Sequence, residues 1–405
     1  MGDRTIFFWA FFAIEVLLAS FLLQPFVLLL LYLIGKMGRG RRKDTPTGAT
    51  FSNYQFGIVI TAHQETEFLP PIVDSLLRQS YPFFNIYIIA DDCDTRNLHF
   101  DDPRVHLLKP PVAFNSNSRS IEYGLAHFEE KDEILVIFDP DNLVHPEFLN
   151  VLNSYYNKGF QAVQGNLQSK DMTNRYEKMD SLGVIFNNFV DRETRSALGY
   201  SVNILGCGVS VYRNIYQKIS YNNLSLTGGF DKHMQLEIVR NVRRIAYAEE
   251  AILYDEKVSD SENLERQRTR WINSWFKFLG EALRLAWVAL KRLDFNLLYF
   301  AYNLVRPPYF LQILMAILFI SINFLLPVNL FLQWIIALSV FFFSFMIIVI
   351  LRISDRTVSK AIWYMPLFFY HQVRSLFKLK RNKHSILKTQ HSKILYIDDL
   401  LQPRP

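Results

Sequence analysis

Apolar positions in this sequence follow two patterns. Near each end they run almost unbroken, and in the middle they come in short bursts divided by polar turns. Residues 6–34 are nearly all apolar and exceed the roughly 20 residues a helix needs to cross a bilayer. That length predicts an uncleaved membrane anchor, tilted or kinked at Pro25, because a secretory leader has a shorter apolar core. Two more runs, 308–326 and 329–351, are divided by little more than Pro327 and predict a helical hairpin. Glu15 is costly in lipid and is read as an interfacial or paired carboxylate.

Between these runs the periodicity is that of alternating strands and helices. Residues 56–61, 85–90, 104–108 and 133–138 are short, β-branched apolar runs, whereas 70–79 and 116–128 keep their apolar side chains on one helical face. Continuous apolar strands separated by helices predict an α/β domain with a mostly parallel central sheet covered on both faces. Ligands of such sheets bind beyond the carboxyl ends of the strands. Two of those ends here carry aspartates, Asp91-Asp92-Cys93-Asp94 and Asp139-Pro140-Asp141.

Two segments, 283–302 and 361–370, are rich in apolar and aromatic residues, and the second leads into Arg374, Lys378, Lys380 and Arg381. They predict helices lying in the membrane interface, with little protein nearby to bury them. The chain divides accordingly into an anchor (1–35), a basic linker (36–55), the α/β domain (56–280), an interfacial helix (281–307), a membrane hairpin (308–352) and an interfacial helix with a basic tail (353–405).

Composition supports this division. Half of the 405 residues are apolar, with 35 Phe and 20 Tyr, yet 20% are charged. The excess of 44 Lys+Arg over 38 Asp+Glu gathers beside the apolar runs, at 38–43 and 378–383, with Arg306 before the hairpin and Arg352 and Arg356 after it. Basic flanks mark the cytosolic side, so the middle domain and the C-terminus are expected to face the cytosol of a multi-pass protein of the inner or plasma membrane. No nucleic-acid recognition motif accompanies the charge. Two cysteines, Cys93 and Cys207, offer no disulfide framework and suit a reducing compartment.

The acidic loops carry the candidate chemistry. Asp139 and Asp141 present hard oxygen ligands suited to Mg²⁺ or Mn²⁺, which bridge substrate phosphates; a solvated turn is the alternative, since Asp-Pro-Asp-Asn is good turn chemistry. Asp91 and Asp92 are open to the same two readings, with helix capping as the plain one. Gly206-Cys207-Gly208 is a tight turn or a close approach to ligand. Asp231 precedes a helix expected over 232–243, where the helix dipole favours its ionised form. In Gln267-Arg268-Thr269-Arg270-Trp271, arginine forks suit a pyrophosphate and the indole a sugar ring; an interfacial basic-aromatic belt is the alternative.

Taken in order, these elements resemble the processive family 2 glycosyltransferases, which include cellulose, chitin and hyaluronan synthases. The resemblance spans about residues 56–271. It implies a GT-A (Rossmann-like) cytosolic domain, a UDP-sugar donor, a divalent Mg²⁺ or Mn²⁺ ion, and a glycan or lipid-linked acceptor at the lipid bilayer, with an export partner in some systems. By resemblance, Thr61, His63 and Glu65 open the nucleotide pocket, and Asp91 or Asp92 contacts uracil and ribose. Asp139 and Asp141 form the metal and diphosphate motif, while Gln267, Arg270 and Trp271 hold the diphosphate and border the acceptor. The family's base ends a Thr-Glu-Asp triplet that is missing here, and counting back from residues 244–248 puts Asp231 in its place. Asn117 stands where many relatives have a lysine, with Arg119 as a substitute, and His63 replaces a tyrosine.

The expected reaction is transfer with inversion, adding sugar to a glycan in polysaccharide synthesis. The alternatives are single addition to a lipid-linked acceptor, and a catalytically silent scaffold for glycan export.

Overall fold

The computed structural model describes residues 2–38, 51–170, 172–221, 229–325, 330–353, 356–378 and 393–401. Residues 39–43 and 379–383 of the basic clusters, most of the linker and Pro327 lie outside the described residues.

Eight strands form one sheet: β1 (Phe56–His63), β2 (Phe84–Asp91), β3 (Val105–Leu108), β4 (Ile134–Phe138), β5 (Leu143–Val144), β6 (Ala162–Ser169), β7 (Val209–Tyr212) and β8 (Ile245–Asp255). Their spatial order is β3-β2-β1-β4-β7-β6-β8-β5. The first four are parallel, β7 runs against both its neighbours, β8 is parallel to β6, and β5 is antiparallel to β8. The chain moves outward from β1 through β2 to β3, then returns to the other side of β1 with β4. That reversal opens a crevice beyond the carboxyl ends of β1 and β4.

Alternation along the strands divides the core. Ile58, Ile60, Ile86 and Ile88 pack with Leu69 and Leu76 of helix Leu69–Leu77 and with Phe148 and Leu152 of helix Phe148–Asn157. Val59, Tyr87 and Ile89 face the other way, against Ile121 of helix Asn117–Ala126, Met234 of helix Phe230–Asn241 and Leu285 of helix Ser261–Arg292. Each fully buried aliphatic side chain contributes about 1.5–3 kcal/mol, so both layers are held firmly to the sheet.

Two helices are long and apolar enough to cross a membrane, Trp9–Gly35 and Phe331–Arg352; a third span is present if the pair Phe295–Val305 and Tyr309–Leu325, bent by 73°, counts as one. Pro25 lies inside the N-terminal helix, which continues on both sides of it. Leu22, Leu29, Ala316, Trp334 and Phe341 of these helices pack together with Phe186, Phe189 and Val190 of the α/β domain. Glu15 is the paired carboxylate anticipated, accepting from Asn323 Nδ2 and Trp334 Nε1.

Two expectations are corrected. Residues 281–307 are not one helix: Ser261–Arg292 runs unbroken for 32 residues, ends at Leu293 in the left-handed region (φ 52°), and restarts at Asp294, whose side chain caps Leu297. The interfacial segments also have protein around them. Phe300 and Ala301 are buried in the domain core, and Phe368, His371 and Ser375 of helix Met365–Phe377 are buried beside Ser261–Arg292. Their opposite faces expose Trp287, Phe295, Trp363 and Phe377. The segments are apolar on two sides, one packed on protein and one turned outward.

Candidate active site

The crevice is a cavity of about 1540 Å³ that extends from the strand ends to the C-terminal apolar helices. A smaller cavity of about 160 Å³ adjoins it, sharing Asn115, Ser116 and Asn117. Thr61, His63 and Asp91 line the smaller one; Glu65, Asp139, Asp141, Asp231, Gln267, Arg270 and Trp271 line the larger. Asp92 lines neither: it is exposed and accepts a hydrogen bond from Gln64 Nε2 at 2.8 Å. Asn117 lies on both walls, whereas Arg119 is exposed on its helix and lines neither.

Asp91 ends β2 and is buried. Its carboxylate accepts the backbone N–H of Phe114 at 2.6 Å and of Asn115 at 2.8 Å, and His63 Nδ1 lies 3.1 Å from its Oδ2. One carboxylate thereby fixes the loop shared by the two cavities. Gln64, Asp92 and Asn115 around it all have positive φ (63°, 55° and 49°), conformations that cost energy and cluster at functional sites.

Asp139 and Asp141 follow β4 in a turn clamped by Asn142, whose Oδ1 accepts from Asp139 N at 3.1 Å and whose Nδ2 donates to Asp255 Oδ1 at 3.2 Å. Asp255 ends β8, so a third strand-end acid joins the pair. Two lysines balance these charges. Burial lowers the Lys170 ammonium against the pull of Asp141 and Asp255. Lys257 bonds Asp255 at 2.8 Å and, despite burial, is raised by Asp255 and Asp180. Burial and these same aspartates push the Cys207 thiol up, so it remains a neutral lining group. Among the described residues, no three His, Cys, Asp or Glu side chains are arranged to hold an ion by themselves. Two carboxylates at the cavity edge fit Mg²⁺ or Mn²⁺, which takes few protein ligands and completes its shell with water and substrate phosphate.

Asp231 is half-buried in the first turn of helix Phe230–Asn241. Gly229 caps that helix at φ 88°, and a Cβ there would stand 2.6 Å from Phe278 and 3.0 Å from Ser274 Oγ. Glycine alone therefore lets this turn lie against the long helix. Gly206 (φ 97°) borders Asp231 from the other side, its notional Cβ at an ordinary contact distance of 3.4 Å from that of Asp231.

The long helix presents Gln267, Arg270, Trp271, Ser274 and Phe278 on one face, as steps of three and four residues require. The surrounding protein lowers the Arg270 pKa by desolvation, while Asp231 and Asp139 pull it up. Gln267 Oε1 and Ser274 Oγ are buried without a hydrogen-bond partner among the described residues. Trp271 is exposed, with Arg268 stacked 4.1 Å over its ring. Arg268 in turn is bonded to buried Asp180.

Sequence reasoning passed over Lys170, Asp180, Asp255 and Lys257. Asp255 carried a usable signal, an acid directly after an apolar run; the others reach the site through burial that no spacing reveals.

Residues 54–274 match the profile of a family described as glycosyltransferase like family 2. The hyaluronan synthase of Streptococcus pyogenes serotype M1 is 22% identical over 274 residues, covering 62% of this chain and 64% of that protein, and the enzyme of a serotype M3 strain is 23% identical over 275. This chain thus spans a little under two thirds of these relatives. Among solved structures, the mannosyltransferase PcManGT from Pyrobaculum calidifontis, in complex with GDP-Man and Mn²⁺, aligns over 91% of this chain and 99% of its own, with a TM-score of 0.55 and 14% identity. At that identity the likeness is one of fold.

Proposed function

This chain belongs to glycosyltransferase family 2 with a GT-A fold, and we propose that it transfers a sugar, with inversion, from a UDP-sugar to a glycan acceptor at the cytosolic face of a cell membrane. The observation that carries this reading is the convergence of Asp139, Asp141, Asp231, Gln267, Arg270 and Trp271, from three separate chain segments, on one cavity.

In this reading Asp231 is the general base, accepting the proton of the acceptor hydroxyl as it attacks the anomeric carbon. Arg270 lies where Asp139 and Asp231 both feel its charge, and stabilises the departing diphosphate. Gln267 and Ser274 offer unsatisfied polar atoms to donor or acceptor, and Trp271 supplies a ring face for the acceptor sugar. Thr61, His63, Glu65 and Asp91 form the nucleotide end. Asp139 and Asp141 would hold Mg²⁺ or Mn²⁺, which neutralises phosphate charge when bound. The relatives named hyaluronan synthase favour repeated addition to a polysaccharide, handed on to an export partner. The exposed apolar faces at Trp287, Phe295, Trp363 and Phe377 support interfacial placement of their helices.

The test is to incubate the purified full-length protein with a panel of UDP-sugars, Mg²⁺ or Mn²⁺, and an oligosaccharide acceptor. Metal-dependent UDP release coupled to product is expected. Failure to release UDP from any donor, by protein that still binds UDP, would overturn the reading in favour of a silent scaffold.

A further inference from the structure

The segment Gln267-Arg268-Thr269-Arg270-Trp271 holds two arginines, and the fold gives them different surroundings. Arg270 stands where Asp139 and Asp231 both act on its charge. Arg268, two residues earlier, leaves the helix about 200° away from it. It is buried, at 8% exposure, and bonded to Asp180 of helix Arg175–Asn188, which is 4% exposed. A guanidinium so placed has a task other than holding the leaving group.

That task is legible in what lies against its faces. The guanidinium carbon of Arg268 is 4.1 Å from the centroid of the Trp271 ring and 5.4 Å from that of Phe368. Both neighbours of the cation are themselves fixed. Phe368 belongs to helix Met365–Phe377, which is tied to the long helix by Thr269 Oγ1 donating to the Ser375 carbonyl at 3.2 Å and by His371 Nδ1 at 2.7 Å from Glu265 Oε1. Asp180 also acts on Lys257, which bonds Asp255 at 2.8 Å, and Asp255 in turn accepts from Asn142 in the turn that carries Asp139 and Asp141. The anchor of Arg268 is thus part of the polar framework of the strand-end acids. Trp271 differs from these groups in being 47% exposed to the cavity. A ring that open can turn about its side-chain torsions unless a neighbour holds it.

We propose that Arg268 is a positioning residue, which clamps the Trp271 indole so that one ring face is covered and the other is offered to the acceptor sugar. A planar cation can stack on an indole while its edge bonds a carboxylate, and a lysine ammonium offers only a point charge. That the ring serves an acceptor rests on the transferase reading above; the clamp itself does not.

The test uses the full-length protein in detergent, with its six tryptophans replaced by 5-fluorotryptophan and W271F identifying the Trp271 fluorine resonance. R268K keeps a cation for Asp180 but gives up the planar face, so the Trp271 resonance should shift and broaden while those of Trp9 and Trp334 stay in place. An unmoved Trp271 resonance would overturn the proposal, and so would a shift of all six together, which marks general loosening. Phe368→Leu touches no charge and should broaden the same resonance to a smaller degree; if R268K does not fold, a sharp, unmoved resonance in this variant overturns the clamp. Kinetics then use the donor and oligosaccharide pair that the unmutated protein turns over. R268K should raise the acceptor KM about fivefold and leave the donor KM within about twofold. In a W271A background the same substitution should alter the acceptor KM by less than about twofold, because Arg268 acts through the ring. A further fivefold loss there, or an equal rise in both KM values, would overturn the assignment. Absence of UDP release by the unmutated protein would sink the transferase reading and leave the clamp to be judged by the fluorine spectrum alone.

Discussion

Arg306 donates Nη2 to both carboxylate oxygens of Asp191, at 2.8 and 2.9 Å, and so bolts the start of the C-terminal apolar helices to the π turn Phe189–Glu193 of the α/β domain. The same guanidinium reaches Gln24, so one side chain joins the N-terminal helix, the catalytic domain and the hairpin.

Breaking this pair should be expensive. Asp191→Asn leaves three buried guanidiniums, those of Arg192, Arg195 and Arg306, without their carboxylate and is expected to destabilise the protein by about 3–5 kcal/mol. Thermal unfolding in detergent measures it. Asp191→Leu combined with Arg306→Met should recover only the share of the loss that belongs to Arg306, because Arg192 and Arg195 remain buried without their carboxylate.

Asp231 predicts a separation between binding and chemistry. Asp231→Asn keeps the size of the side chain but cannot accept a proton, so transfer should fall by about 10²–10⁴-fold with UDP affinity retained. Product formation and UDP titration on one preparation decide it. A variant that transfers at the original rate would remove Asp231 from the role of base.

Gly229 predicts a second way of losing the base. Alanine there meets both an unfavourable φ of 88° and Phe278 at 2.6 Å, a strain of about 1–3 kcal/mol. The first turn of helix Phe230–Asn241 should shift and move Asp231 with it. Gly229→Ala is therefore expected to lower kcat more than it weakens UDP binding. Phe278→Leu should relieve part of the defect, since it opens space but leaves φ unchanged.

Glu265 predicts an acid-sensitive contact. Although burial opposes it, Lys378 and His371 hold its carboxyl below the ordinary value of 4.5, and Arg374 adds to the effect. A carboxyl depressed in the folded state contributes stability above its unfolded pKa, and that contribution is lost as pH falls through the folded one. Helix Met365–Phe377 should loosen from the long helix as pH drops below about 4.3, the unfolded value for a glutamate. Hydrogen exchange across residues 365–377 would show it, and Glu265→Gln should abolish the dependence.

Much of the fold was legible because its signals were local. The strands β1, β2 and β4 announce themselves as apolar runs, since they are buried on both faces of the sheet, and β3 is a half-buried apolar run at its edge. The later strands do not. Ala162–Ser169 contains Gln164, which is fully buried yet polar, its Nε2 donating to the carbonyls of Gly165, Cys207 and Gly208 and its Oε1 accepting from Leu205 N. Ile245–Asp255 carries Glu249 and Glu250 at a register shift against β6. Pairing with neighbours, not hydrophobicity, makes these segments strands.

By itself, then, the sequence determined the membrane runs, the parallel half of the sheet, the strand-end aspartates and the helical face that carries Gln267, Arg270 and Trp271, because each depends on spacing within one element. Tertiary structure alone decided that Asp91 would hold a loop while Asp92 faced away, that Asp255 would join Asp139 and Asp141, and that the long helix would continue through its interfacial half. It also decided the arginine cluster. Gln24, Asp191, Arg192, Arg195 and Arg306 come from three regions of the chain, and charges so far apart in sequence acquire a shared meaning only when burial removes the water that would otherwise screen them.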